Sequence, residues 1–436
     1  MMKKFFFLLI LVLFLLSPAA VFASNLYVPG DYATIQAAVD AAAAGGDIII
    51  LADQVFNGAG NYDIDFNGKI LTLRSDGLNP DNCTIDCQHN DRFFKIDQGE
   101  TITLQGITVK NGYKVGTSND GIGGAVFCND TASLIARHCI FKDNTAQYGG
   151  ALYVDDYSTL LLSDCQFSGN RASTTGGAID SWSFSATITN CQFNSNSANI
   201  RGGAVYTDHA ALTTFEKCIF TSNSTDANGS THSDGGAVFL THSTARFCNC
   251  AFISNQVDKR GGAVYTTDIT SFINCTFTLN VGSYQGGAVY STLSNTSAGD
   301  VEFKNCILWG DTTSGGGNEI FISKLSKPPL VTWTNIQDSG YSGSGIISSN
   351  PKFVNAAASD VHLQSSSPCI DTGTAGGAPA DDLDSYERPF GSGFDMGVYE
   401  NHQGISSNCP ISEDVNGIKH LNGQLVIENQ GELIIQ

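Results

Sequence analysis

The sequence predicts an all-β chain wound as a single-stranded parallel β-helix, a solenoid of short strands and tight turns with a short N-terminal capping helix. Two recurrences carry this. The triplet Gly-Gly-Ala returns at 123, 149, 176, 202, 235, 261 and 286, and a second phrase, Cys-x-Phe-x-x-Asn, begins at Cys139, Cys165, Cys191, Cys218, Cys250 and Cys275, with a worn copy at Cys306. The basic period is 25 to 27 residues, the mark of repeats that stack on their neighbours. Composition then selects the solenoid. Runs such as STLLLSDCQF and SATITNCQF alternate and are β-branched, and no 3.6-residue period occurs between 116 and 312. Two or three short strands per unit are expected, closing one coil every 25 residues or so at about 4.8 Å per coil. From Ser24 to Glu400 this gives about 14 or 15 coils and a rod of roughly 70 Å.

The chain begins with Lys3 and Lys4, an apolar run from Phe5 to Leu16, and Val21-Phe22-Ala23 as a small-residue cleavage site, which together read as a signal peptide over 1–23. No later stretch reaches 18 apolar residues, so no transmembrane span is expected in the mature chain. Formal charge is −20, and loss of the two signal lysines takes it to −22 (−20 − 2). That sign disfavours nucleic acid and anionic membrane, and leaves carbohydrates, cations and cell-surface proteins as partners.

After the signal peptide, Thr34 precedes an amphipathic helix from about Ile35 to Ala44, followed by a strand at Ile48 to Leu51. A helix here closes the open end of the stack, which otherwise exposes apolar core and unpaired strand edges. Residues 24–115 form this cap and irregular first coils, 116–312 the regular repeats, 313–400 closing coils and a surface-association segment, and 401–436 a tail whose NGQLVIENQGELIIQ alternates as strands. Two insertions, 225–234 and 292–300, are rich in Ser, Thr, Asn and Gly and read as solvated loops.

Each repeat slot has a physical reading. Seven of the 13 cysteines share one slot. Stacked equivalents lie about 4.8 Å apart with parallel side chains, whereas a disulfide wants Cβ atoms about 3.8 Å apart, so a ladder of buried free thiols is expected. The closest pairs, Cys83 with Cys87 and Cys248 with Cys250, lack the His spacing of a zinc site. Asn144, Asn170, Asn196, Asn223, Asn255 and Asn280 sit where the strand turns, and their amides bond equivalents above and below. After the glycines, Val126, Leu152, Ile179, Val205, Val238, Val264 and Val289 are aliphatic and face inward.

The next residue faces outward. It is Phe127, Tyr153, Asp180, Tyr206, Phe239, Tyr265 and Tyr290 in successive copies, with Asn129, Asp155, Ser181, Asp208, Thr241 and Thr267 alongside. Two readings follow. Flat rings flanked by carboxylates and hydroxyls suit the C–H faces and hydroxyl edges of sugars, and stacked rings also stabilise a sheet. In the C-terminal segment Asp381, Asp382, Asp384 and Asp395 supply hard oxygen ligands of the kind that hold calcium, or are loop acids with Arg388 as internal partner.

The GGAVY and Cys-x-Phe-x-x-Asn phrases resemble the GGA[ILV] and FxxN repeats of the polymorphic outer membrane protein family, and the unit as a whole resembles the right-handed, pectate-lyase-like β-helix superfamily. Residues 26–56 are similar to the opening of secreted β-helix proteins. PKFVNAAASDVHLQSSSPCIDTG and DDLDSYERPFGSGFDMGVYE, within 351–400, resemble a choice-of-anchor segment. The resemblances imply secretion, surface or outer-membrane association, and adhesion. The chain departs from the first family in ending at Gln436 without residues for a C-terminal membrane barrel.

The superfamily also houses polysaccharide lyases and glycoside hydrolases. These need a calcium-binding carboxylate group beside a base, or carboxylates converging on one bond. Asp155-Asp156 is the paired carboxylate of the repeats, Arg171, Arg201 and Arg260 are the nearby cations, and His209, His232 and His242 are scattered. The expected function is binding or adhesion to carbohydrate or another surface component, with no assigned catalytic residue. A lyase or hydrolase is the alternative.

Overall fold

The computed structural model describes residues 23–402, except 117–119, 183, 211, 227–232, 293–300, 324–327 and 339, together with four strands between 412 and 435. The signal run, His232 and most of both insertions lie outside the described residues. Among those described, no helix is long and apolar enough to cross a membrane.

The chain winds through four parallel sheets of ten, twelve, eleven and eight strands. A representative coil runs Val126–Cys128, Ser133–Arg137, Ile140–Lys142 and Thr145–Tyr148. That is four strands where two or three were expected. The unforeseen break falls inside the apparently continuous run before the cysteine. There His138, Asp164, Asn190, Lys217, Asn249, Asn274 and Asn305 adopt φ between 49° and 56°, a left-handed bend that divides one run into two strands. The first glycine of each triplet supplies another left-handed corner, at φ 59° to 69°. The second has an ordinary φ but no room: a Cβ on Gly150 would lie 2.1 Å from the carbonyl oxygen of Gly177.

The helix spans Ile35–Ala41, capped by the Thr34 hydroxyl, which accepts from Ala37 N, and it buries Ile35, Ala38 and Val39 on the end of the core. It stops short of Ala44 because the Asp47 carboxylate takes the amides of Ala43 and Ser24, drawing 43–47 into the strand Gly45–Leu51.

Like stacks on like in the core. Phe141, Phe167, Phe193, Phe220, Phe252 and Phe277 form one column with centroids 4.6 to 5.0 Å apart and planes within 10°. Phe215, Phe247, Phe272 and Phe303 form a second, edge-on to the first. The aliphatic slot is buried throughout, and all 12 described cysteines are buried free thiols. In the repeat slot each Sγ lies near backbone carbonyls, as Cys165 does to Ala136 and Ser163.

The buried asparagines form a continuous amide ladder. Asn170 Oδ1 accepts from both the backbone N and Nδ2 of Asn144, and Asn196, Asn223, Asn255 and Asn280 repeat this. The second Nδ2 hydrogen reaches a carbonyl one turn back, as from Asn196 to Phe167. Asn196→Ala leaves several buried donors and acceptors unpaired, so a loss of roughly 3–5 kcal/mol is expected in denaturant unfolding.

The ladder ends on Asp311, which occupies the next asparagine slot and accepts from Asn280 N and Nδ2. Opposite it, Glu319 fills the slot held elsewhere by the alanine of the triplet, in register with Ala288. Both are buried, and the remaining Asp311 oxygen and both Glu319 oxygens have no donor partner. Burial, then mutual repulsion, pushes Glu319 far above the usual carboxylate range, so the pair holds a proton at neutral pH. A proton retained more tightly in the folded state stabilises fully at low pH and costs stability as pH rises above the unfolded value near 4.5. Glu319→Gln should therefore raise the thermal midpoint, by more at pH 8 than at pH 5. A midpoint that falls equally at both values would contradict this.

After Asn335–Ile336 and a last parallel bridge to Ile347 the chain leaves the coil. Residues 350–402 do not add coils. They fold back along the outside of the eleven-stranded sheet, where Val361, Leu383 and Val398 cover Ala251 and Ile253, and Leu363, Cys369 and Met396 cover Ile307. Left-handed corner residues grip this strap: Asn249 Nδ2 donates to Asp381 O, Asn274 Nδ2 to the carbonyls of Asp395 and Gly397, and Asn305 Oδ1 accepts from Thr374 N. A buried Arg388–Glu400 pair at 2.6 Å holds the strap's own turns. The longest sheet thus has twelve strands, about 53 Å at 4.8 Å per step, rather than the 14 or 15 coils expected. The tail strands Ser412–Glu413, Lys419–Leu421, Gln424–Asn429 and Glu432–Ile435 pair antiparallel with one another and form no coil.

Candidate functional site

The outward slot of the ten-stranded sheet is in register from Lys95 through Phe127, Tyr153, Asp180, Tyr206, Phe239, Tyr265 and Tyr290 to Phe321. Tyr206, Phe239, Tyr265, Tyr290 and Phe321 lie outside the main core and form a cluster of their own. Phe239, Tyr265 and Tyr290 are only 4%, 7% and 5% exposed. Stacking is the reason. Parallel strands bring identical side chains face to face, with Phe239–Tyr265 centroids at 4.5 Å and Tyr265–Tyr290 at 5.1 Å, so the column turns ring edges outward. Arg201 lies over Phe239, and Arg260, held by both oxygens of buried Asp234, lies over Tyr265 and Tyr290. Phe239, Tyr265 and Tyr290 each have a stacked ring on both faces, which leaves none of their faces open for a sugar to stack on. Tyr265→Ala should therefore destabilise the protein by roughly 2–4 kcal/mol, read as a lower urea midpoint.

The N-terminal end of the column differs. Phe127 meets Tyr153 edge-on, at 63° and 5.7 Å, because Asp180 interrupts the stack above them. A cleft of about 430 Å³ opens there, lined by Arg92, Lys95, Lys114, Asp120, Ile122, Phe127, Asn129, Tyr153, Asp155 and Asp156. Arg92 and Lys95 approach the Phe127 ring at 5.6 and 5.5 Å. Lys114 pairs with Asp91 and Lys95 with Asp97, and the Tyr153 hydroxyl points to Asp155 at 3.5 Å. Three of the expected residues, Phe127, Tyr153 and Asp155, thus share this cleft, while Phe239, Tyr265 and Tyr290 lie buried farther along the sheet.

Asp180 is buried and accepts from the Thr175 hydroxyl. Burial pushes its carboxyl up to about 7, and the charges of Asp155 and Asp208 add to this. Burial also raises Asp155. Asp208 in turn accepts from the Tyr206 hydroxyl at 3.3 Å.

The four C-terminal aspartates do not converge. Asp381 pairs with Lys217 at 2.7 Å, and Asp384 with His362 at 2.8 Å. Asp382 accepts the amides of Tyr386 and Glu400, and Asp395 those of Asp371 and Asn401. Burial pushes Asp382 up to about 6 and Asp395 up to about 7, Asp395 also through Glu400. Sequence reasoning found four loop acids; folding gives each its own structural partner, Asp381 on the coil and the other three within the strap.

Among the described residues, one set of three metal-ligating side chains converges, at Asp208, His209 and His242. The two histidines looked scattered because 33 residues separate them, the length of the coil lengthened by the 225–234 insertion. The register Asp208↔Thr241 makes them neighbours in adjacent coils.

A family model described as a right-handed beta helix region matches residues 34–193 and 124–308, and the chain belongs to that family. A crystal structure of pectate lyase Pel9A superposes with a TM-score of 0.49 at 12% identity, covering 88% of this chain and 98% of that one, a likeness that carries no argument about activity. No curated protein matches the sequence.

Proposed function

We propose that this chain is an exported β-helix protein, secreted or held at the cell surface, that binds carbohydrate in the cleft between Arg92 and Asp156. The observation that carries this reading is the cleft's lining. A half-exposed aromatic pair, Phe127 and Tyr153, stands among cations and carboxylates of both signs at the one stretch where the column is unstacked. An apolar ring supports a sugar's C–H face while surrounding charges and amides bond its hydroxyl or carboxylate edges. The signal-like N-terminus and the abundance of Ser, Thr and Asn fit an extracellular setting. Retention on a panel of neutral and acidic polysaccharides tests it. Phe127→Ala with Tyr153→Ala should weaken retention at least tenfold. Unchanged retention in that variant sinks the reading.

A second reading, a polysaccharide lyase or hydrolase, is favoured by the adjacent carboxylates Asp155 and Asp156, which both line the cleft. Carboxylates gathered at one bond serve a hydrolase as acid and base, or a lyase as ligands for calcium. Release of unsaturated or reducing ends from the same panel, with and without calcium, and its loss in Asp155→Asn, would favour catalysis over binding.

A further inference from the structure

We propose that Asp208, His209 and His242 form a site for a divalent transition-metal ion, of the zinc or copper class, on the outer face of the ten-stranded sheet. This goes beyond carbohydrate binding and does not depend on it.

The geometry is that of a built donor set. Asp208 closes the strand Val205–Asp208, and its carboxylate is largely buried, with one oxygen accepting from the Tyr206 hydroxyl. The other oxygen faces two imidazoles at once, His209 Nδ1 at 2.7 Å and His242 Nδ1 at 3.0 Å. One ligand atom from each of the three residues lies within 4.8 Å of the others. A tetrahedral ion with bonds of about 2.1 Å wants donors roughly 3.4 Å apart, so the two carboxylate–imidazole separations of 2.7 and 3.0 Å need to open by less than about 1 Å. Half-exposed imidazoles provide that by small rotations.

Both histidines are held rather than free. His209 and His242 adopt φ of 55° and 48° at equivalent corners, and their rings stack at 4.5 Å. Trp182, one coil below, stacks on His209 at 5.1 Å, and the His242 amide donates to Thr267 Oγ1. Two neutral imidazoles and one carboxylate suit zinc or copper far better than calcium, which takes six or more oxygens. With three protein ligands the fourth position stays open to solvent, on the exposed side of the rings.

The test uses the full exported chain, purified without a polyhistidine tag and stripped with chelator. Calorimetric titration with zinc should show one equivalent bound, with calcium giving no heat at this site. Copper should quench the Trp182 share of the emission, identified by comparison with Trp182→Phe. His209→Gln with His242→Gln should weaken zinc binding roughly 100-fold while lowering the metal-free thermal midpoint by no more than a few degrees, since both rings are largely exposed and a Gln amide can still donate to Asp208. Asp208→Asn should weaken it by a smaller factor; that variant tests the carboxylate, and the histidine pair keeps the result readable if Asp208→Asn misfolds. Stoichiometric zinc binding that survives loss of both histidines overturns the proposal, as does a wild-type affinity weaker than about 1 mM.

Discussion

Register in this solenoid rests on a buried side-chain amide. Each ladder asparagine offers one oxygen to the backbone and side chain of the coil before it, and hands its own hydrogens to the coil after it and to a carbonyl behind. An amide is the one common side chain that both donates and accepts in a fixed plane, so a parallel stack of them satisfies itself without water. A slip of one residue would bury every one of these groups unpaired. The cysteine, phenylalanine and valine columns need no such specification; they fill volume once the amides have set the rise. The ladder's end shows the same logic inverted. An aspartate in the asparagine slot brings acceptors and no donor, and the protein places a second acid against it that holds the missing proton.

Much of this was legible because translation by one coil maps each slot onto itself. Periodicity alone located the inward valines, the free thiols, the asparagine corner and the glycine bend. What periodicity hides is direction within a run. STLLLSDCQF reads as one alternating strand, yet Asp164 turns left-handed and divides it, a conformation that Asn and Asp tolerate and that alternation does not reveal. The strap was hidden for a different reason. Its signal lay in the coil it covers: the outward slots of the eleven-stranded sheet read Gln166, Ser168, Gln192 and Asn194 in two coils, then Ile219, Ala251, Ile253, Ile307 and Trp309, with Thr221, Thr276 and Thr278 among them. A solvent face that turns apolar midway along a repeat is a face with something lying on it.

The candidate sites were half legible. That the aromatic slot points out of the coil follows from alternation, but whether a ring presents its face or its edge depends on its neighbour above and below. A 4.8 Å rise nearly matches ring thickness, so uninterrupted aromatics close over one another, and binding capacity gathers where a different residue breaks the column. Asp180 is that residue, and the cleft lies next to it. The histidine pair was invisible for the opposite reason, since an insertion of variable length conceals an equivalence that strand register restores.

The strap changes how the rod yields. A plain solenoid resembles a pile of coins in which each piece feels only its neighbours, so it frays from either end by single coils. Here a segment 69 to 132 residues downstream touches corners at Asn249, Asn274 and Asn305 together. Those coils cannot separate singly: detaching any of them first requires the strap to peel. Tension along the axis would therefore meet two springs in series, a soft half near the helix cap that gives coil by coil, and a stiff half that holds until it releases as a block.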